Sequence, residues 1–189
     1  MFNSIFIWLL GTACLLSTTP ARADQLWTPR DLLAQQFKSS ERVSYVRVDL
    51  SAEQRHRVES HIGRSLPKTS YTFFVASSHG KVDGYALFDD QVGQHEPISF
   101  ATFFDVDGHV TRVEVVAYRE PYGDGIRSVR FRQQFVGRSA NSHFQPGSDI
   151  DAVSGATISS RSMCVGVERA TALLGETLLK QTASVLATR

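Results

Sequence analysis

Cysteine is scarce: Cys14 and Cys164 are the only two in 189 residues, too few for a disulfide scaffold or a four-cysteine metal site. Neither sign of charge dominates either, with 20 Lys and Arg against 19 Asp and Glu and a net charge of +1. Without a basic surplus to neutralise phosphates, general nucleic-acid binding is disfavoured. No internal repeat or low-complexity tract is present, which argues against a solenoid or a largely disordered chain. His95-Glu96 and His143 lack metal-ligand spacing such as His-x-x-x-His, so no metal is expected. Asp105-Val106-Asp107-Gly108-His109 has the flavour of a calcium loop, but its glycine comes too early and no later Glu fits, so it reads as a hairpin turn. No Gly-x-Ser-x-Gly elbow occurs, so Ser154 has little support as a hydrolase nucleophile.

What remains is an ordinary composition, 42% hydrophobic and 21% charged, enough for one domain with a real core. The apolar run 5–16 is too short to span a membrane comfortably. It leads to Ala21-Arg22-Ala23, the small-x-small pattern of a secretory cleavage site. We therefore read residues 1–23 as a signal peptide, with a retained anchor or a lipid on Cys14 as the competing reading. Cleavage after Ala23 removes Arg22 and no acid, leaving a balanced, exported chain. Cys164 then survives alone, which needs no disulfide and reads as a small core residue.

Along the mature chain, Thr28-Pro29 opens a short helix. Residues 43–50 read as a strand, and Ser51-Ala52-Glu53-Gln54 as a capping box for a second helix that stops near Gly63. Aromatic-rich strands are expected at 71–76 and 85–88. A hairpin follows, with strands 98–106 and 110–118 about Asp107-Gly108. After a loop at 120–125 come an Arg-bearing helix at 126–136, a polar linker at 137–149 and a long helix from about Ile158. Strands in the middle and helices at both ends indicate an α+β fold: a mostly antiparallel sheet with helices packed on it, in a single domain. Residues 24–83 supply its N-terminal helices and strands, and 84–189 its core.

Chemistry concentrates in Asp151-Ala152-Val153-Ser154-Gly155-Ala156-Thr157, immediately before that last helix. Small residues and a glycine let backbone approach a ligand closely. The amides and dipole of the helix start favour a phosphate there. The plainer alternative is an ordinary helix start, with Ser154 or Thr157 capping and Asp151 in a turn. The five fixed positions of Asp-x-x-Ser-Gly-Ala-Thr arise by chance in roughly one chain of this length in several thousand.

That motif resembles the flavinylation motif of the FMN-binding domain family, whose members include components of the sodium-translocating NADH:quinone reductase and of the Rnf electron-transport complex. The resemblance extends from about Gly84 to Leu174 and takes in the hairpin, the loop Tyr118-Arg119-Glu120-Pro121-Tyr122-Gly123 and the segment 131–137. The Glu-Pro-Tyr-Gly form of the loop is similar to small exported members, where the respiratory members have Glu-Thr-Pro-Gly-Leu-Gly. The resemblance implies FMN joined by a phosphoester to Thr157, with Ser154, Gly155, Ala156, Glu120 and Gly123 as cofactor-binding residues; Tyr122 is added from its place in the loop, where it either stacks on the ring or fills the loop. It assigns Asp151 to recognition by a flavin transferase that uses FAD and magnesium.

The function so implied is electron transfer by a periplasmic flavoprotein, with a membrane redox protein as donor or acceptor. No residue set forms a dedicated substrate site, which favours a carrier over a turnover enzyme. An accessory or regulatory binding domain, or a small flavin reductase, is the alternative. Arg119, Arg127, Arg130 and Arg132 either favour an anionic flavin or form a solvated helix face.

Overall fold

The computed structural model describes residues 24–181; the expected signal peptide lies outside them. Twelve-residue and shorter strands form one six-stranded antiparallel sheet in the order β1-β6-β5-β4-β3-β2. These are β1 (Asp24–Gln25), β2 (Arg42–Asp49), β3 (Ser70–Ser78), β4 (Lys81–Val92), β5 (Pro97–Phe104) and β6 (Val110–Tyr118). From β2 to β6 each strand pairs with its neighbour in sequence, a meander. The expected α+β architecture is what the chain adopts. Pairing runs through Phe73↔Leu87 and Ala76↔Gly84, so the sheet continues without a break past residue 84.

Local chemistry explains the first helices. Thr28 caps α1 (Pro29–Gln36) by accepting the Asp31 amide at 3.1 Å. Ser51 and Gln54 exchange both bonds of a capping box at the start of α2 (Ala52–Ile62), which ends on left-handed Gly63. On one sheet face, α2 and the long α4 (Thr157–Leu174) cover Val48, Phe73, Leu87, Phe100, Val113 and Val115. On the other, Leu32 and Leu33 of α1 pack with Ala86, Ala101, Phe103 and Val116. Consecutive phenylalanines therefore divide between faces, Phe73 and Phe104 to one and Phe74 and Phe103 to the other, as strand alternation requires. With both faces covered, β5 and β6 read as nearly continuous apolar runs.

Two expected elements differ in detail. The β5–β6 connection is the five residues 105–109 rather than the three left between the expected strands, because Asp105 Oδ1 accepts the amides of Asp107 (3.0 Å) and His109 (2.8 Å) and draws the chain out of the ladder early. The helix expected at 126–136 is broken into a 3-10 turn, Asp124–Arg127, and a short α3, Val129–Gln133. Ser128 interposes an extended residue (ψ 141°) and caps α3 by accepting the Phe131 amide.

Polar groups inside the core join α4 to the sheet. Arg169, 4% exposed, meets Asp89, 3% exposed, at 2.7 Å, and also bonds Gln91 and the Asp90 carbonyl. Lys68 approaches the other Asp89 oxygen at 2.7 Å. Across the sheet, Glu114 receives both Arg112 and Arg132 at 2.7 Å, which fixes α3 against β6. Cys164 is buried, and desolvation pushes its thiol up to about 12, as a core residue's would be. Among the described residues no helix is long and apolar enough to cross a membrane.

Candidate functional site

The fold brings the Asp151–Thr157 motif against the end of β6. Tyr118, the last residue of β6, donates its hydroxyl to the Tyr122 carbonyl at 2.5 Å and pairs with Ser159 Oγ of α4 at 2.9 Å. Burial raises the phenol above its ordinary value, against a lowering by the Ser159 bond, so it stays protonated and able to donate. Gly123 lies between these groups at φ +88°, where an added Cβ would stand 2.8 Å from both Ser159 Oγ and Tyr118 Oη. Only glycine fits both the backbone angle and the space. Gly123 and the first turn of α4 are thus in direct apposition, as a loop facing the motif requires.

Thr157 opens α4 with an exposed side chain that makes no hydrogen bond among the described residues. The residue before it, Ala156, stands at the N-cap, and no side chain caps the helix. Neither Ser154 nor Thr157 takes the capping role of the plainer reading. Ser160 is used instead to hold the preceding turn: its Oγ accepts the Val153 amide at 3.1 Å, and the Val153 carbonyl accepts the Ala156 amide at 2.9 Å. Gly155 adopts φ +75° with nothing within 4 Å of a Cβ position, so the motif backbone is open to solvent at its tip. An eighteen-residue helix with uncapped first-turn amides is a suitable place for a phosphate, and the Thr157 hydroxyl stands beside it. The residues present therefore fit a phosphate-bearing cofactor.

Asp151 is exposed, and its carboxylate has no hydrogen-bond or ion-pair partner among the described residues. It does not make the side-chain-to-amide bonds of a turn residue. A cavity of about 330 Å³ adjoins it, lined by Arg130, Phe131, Gln134, Val153 and Ser154 among others. Of the four arginines considered, Arg130 is the one on this cavity. Arg132 is occupied by Glu114 and by the carbonyls of Arg127 and Val113. Arg127 lines a larger groove between β6 and α3, and Arg119 a cavity beside α1. They do not converge on Thr157.

Glu120 has a task that its sequence position did not disclose. Its Oε1 accepts the amides of His95 at 2.6 Å and Glu96 at 3.0 Å, closing the turn between β4 and β5. Burial works to raise this carboxyl, but the amides of Glu96, His95 and Gln94 outweigh it and hold it below the ordinary value. Folding therefore favours the ionised form. Its contribution is full above the ordinary carboxylate range and is lost as pH falls through that range toward the folded value. Glu120→Gln, still able to accept both amides, is expected to lose less stability than wild type over that acid window. Melting at stepped pH measures this; parallel pH profiles would show that the Glu120 charge contributes nothing.

With that geometry in place, residues 93–172 match the family model described as FMN-binding domain. These residues belong to the FMN-binding domain family. The matched segment contains the β5–β6 hairpin, the Glu120–Gly123 loop, α3 and most of α4. The strands β1 to β4 and the helices α1 and α2 lie before it. Among solved structures, NqrC of Shewanella oneidensis is 17% identical, with 78% of this chain and 87% of that one covered and a TM-score of 0.48. A component of the Na(+)-translocating NADH-quinone reductase from Parabacteroides distasonis is also 17% identical, with 76% and 85% covered and a TM-score of 0.43. No curated protein matches the chain.

Sequence reasoning missed two residues of this FMN-binding domain that organise the motif, Tyr118 and Gln134. Tyr118 was visible as the end of an apolar strand and the first residue of the 118–123 loop, with no role of its own. Gln134 had no signal, since a glutamine within the expected helix 126–136 is commonplace.

Proposed function

We propose that this chain is an exported electron-transfer flavoprotein that carries FMN through a phosphoester to Thr157. The observation that supports it is the exposed, unpartnered Thr157 hydroxyl at the uncapped start of α4, within a segment of the FMN-binding family. In the attachment, Thr157 Oγ1 forms a bond to the flavin-side phosphorus of FAD, the phosphoanhydride bond breaks, AMP leaves and the threonine proton passes to solvent. A flavin transferase with magnesium supplies the donor. Ser154, Gly155 and Ala156 provide the backbone around the phosphate. Tyr122, 81% exposed, and Gly123 would face the ring, on a loop whose base Glu120 anchors.

FMN, when bound, supplies the electron-transfer chemistry, and the protein supplies position and surroundings. Retention is the advantage of the covalent bond, since an exported protein cannot readily recapture a cofactor lost by dissociation. Tyr122 and Ile158, both exposed, leave this face approachable by a membrane redox protein. Co-expression with a flavin transferase is expected to add the mass of FMN less one water, with fluorescence that survives denaturing electrophoresis. An unchanged mass would overturn the reading. Export is tested separately: protein from the periplasmic fraction is expected to begin at Asp24, and an intact Met1 or a lipidated Cys14 would overturn the soluble periplasmic form.

A further inference from the structure

We infer that Gln134 is a positioning residue for flavinylation, clamping the backbone of Asp151 so that its free carboxylate stands at a fixed point for a magnesium-bound dinucleotide donor. The inference rests on the reading of Thr157 as the acceptor. Between α3 and α4 the chain runs through residues 137–156 with no helix or ladder strand, and side chains from the α3 region do the work of secondary structure. Gln134 Oε1 accepts the Asp151 amide at 2.7 Å, and its Nε2 donates to the Asp151 carbonyl at 3.3 Å. A primary amide can both accept from and donate to one residue, as a paired strand would. Arg138 acts alongside it, donating to the carbonyls of Gln134, His143 and Asp149.

The consequence for Asp151 is specific. Both of its backbone polar groups are satisfied by Gln134, while its carboxylate has no partner among the described residues. Asp151 and Gln134 line the same cavity as Ser154 and Arg130. An exposed acid on an irregular segment would lose conformational freedom on meeting a ligand; anchoring the backbone beforehand removes part of that cost. Gln133, the adjacent residue, lines the groove on the other side of α3 and not this cavity.

The test measures initial flavinylation rates with purified transferase, magnesium and FAD, using in-gel fluorescence and intact mass. Gln134→Met keeps the length of the side chain without its polar atoms, and Gln134→Asn keeps the amide but is one methylene short. Each is expected to slow flavinylation by roughly tenfold or more, chiefly through the KM for FAD, while Gln133→Met proceeds at the wild-type rate. Asp151→Asn is expected to be slow, and adding Gln134→Met to it should cost nothing further. A wild-type rate in Gln134→Met, a wild-type rate in Asp151→Asn, or the same fold-loss from Gln134→Met in both backgrounds would each overturn the proposal. The last would make Gln134 a general prop. A failure of the acceptor reading looks different: wild type would gain no flavin, or Thr157→Ala would gain it normally.

Discussion

Thr157→Ala is expected to abolish covalent flavin and leave the fold almost untouched. The hydroxyl makes no bond within the described protein, and the side chain is exposed at the first position of α4. Alanine is at least as good a helix former as threonine. An exposed substitution of this kind changes stability by no more than about 0.5 kcal/mol, or about 2 °C in melting temperature for a domain of this size. Fluorescence after denaturing electrophoresis measures the attachment, and melting of the unmodified proteins measures the fold. Residual covalent fluorescence in the variant would place the linkage at another residue.

The largest loss of stability is expected from Asp89→Ala. Asp89 and Arg169 are both almost completely buried and joined at 2.7 Å. Truncating the acid leaves the guanidinium in the core without its counter-charge, a change that costs about 3–5 kcal/mol. For a domain of this size that is roughly 10 °C or more in melting temperature. Pairing Asp89→Ala with Arg169→Met should recover part of the loss, because the stranded charge is then absent. A double variant no more stable than Asp89→Ala would show that the damage comes from lost packing around β4 instead.

The sequence made the elements legible wherever local chemistry decides them. Thr28, Ser51 and Gln54 announced their helix caps, and alternation announced the central strands. The region after β6 was less legible, since Ser128 halts a helical pattern through a backbone choice that periodicity does not show. In the site, the Ser154–Thr157 segment was legible from a motif whose members are adjacent in sequence, and its apposition to Gly123 only as what the family resemblance implied for the 118–123 loop. The links that hold it together were not legible. Tyr118 to Ser159, Gln134 to Asp151 and Glu120 to His95 join residues 41, 17 and 25 positions apart. Each depends on how β6, α3 and the turns are placed in three dimensions. The scattering of the arginines has the same origin: their sequence proximity says nothing of which cavity each one lines.

From β2 to β6, the sheet joins only strands that follow one another along the chain, and from β3 onward the connections are short loops that can close progressively. Docking of α4 is a different kind of event, since Arg169 must find Asp89 across 80 residues of sequence, and such distant closures come late. Thr157 begins that same helix. The surface around Thr157, with the Tyr118–Ser159 link and Gly123 seated beside it, therefore requires α4 to be docked on the sheet. On the proposed reading of Thr157 as the acceptor, an enzyme that recognises this surface would act only on chains whose long helix is already in place.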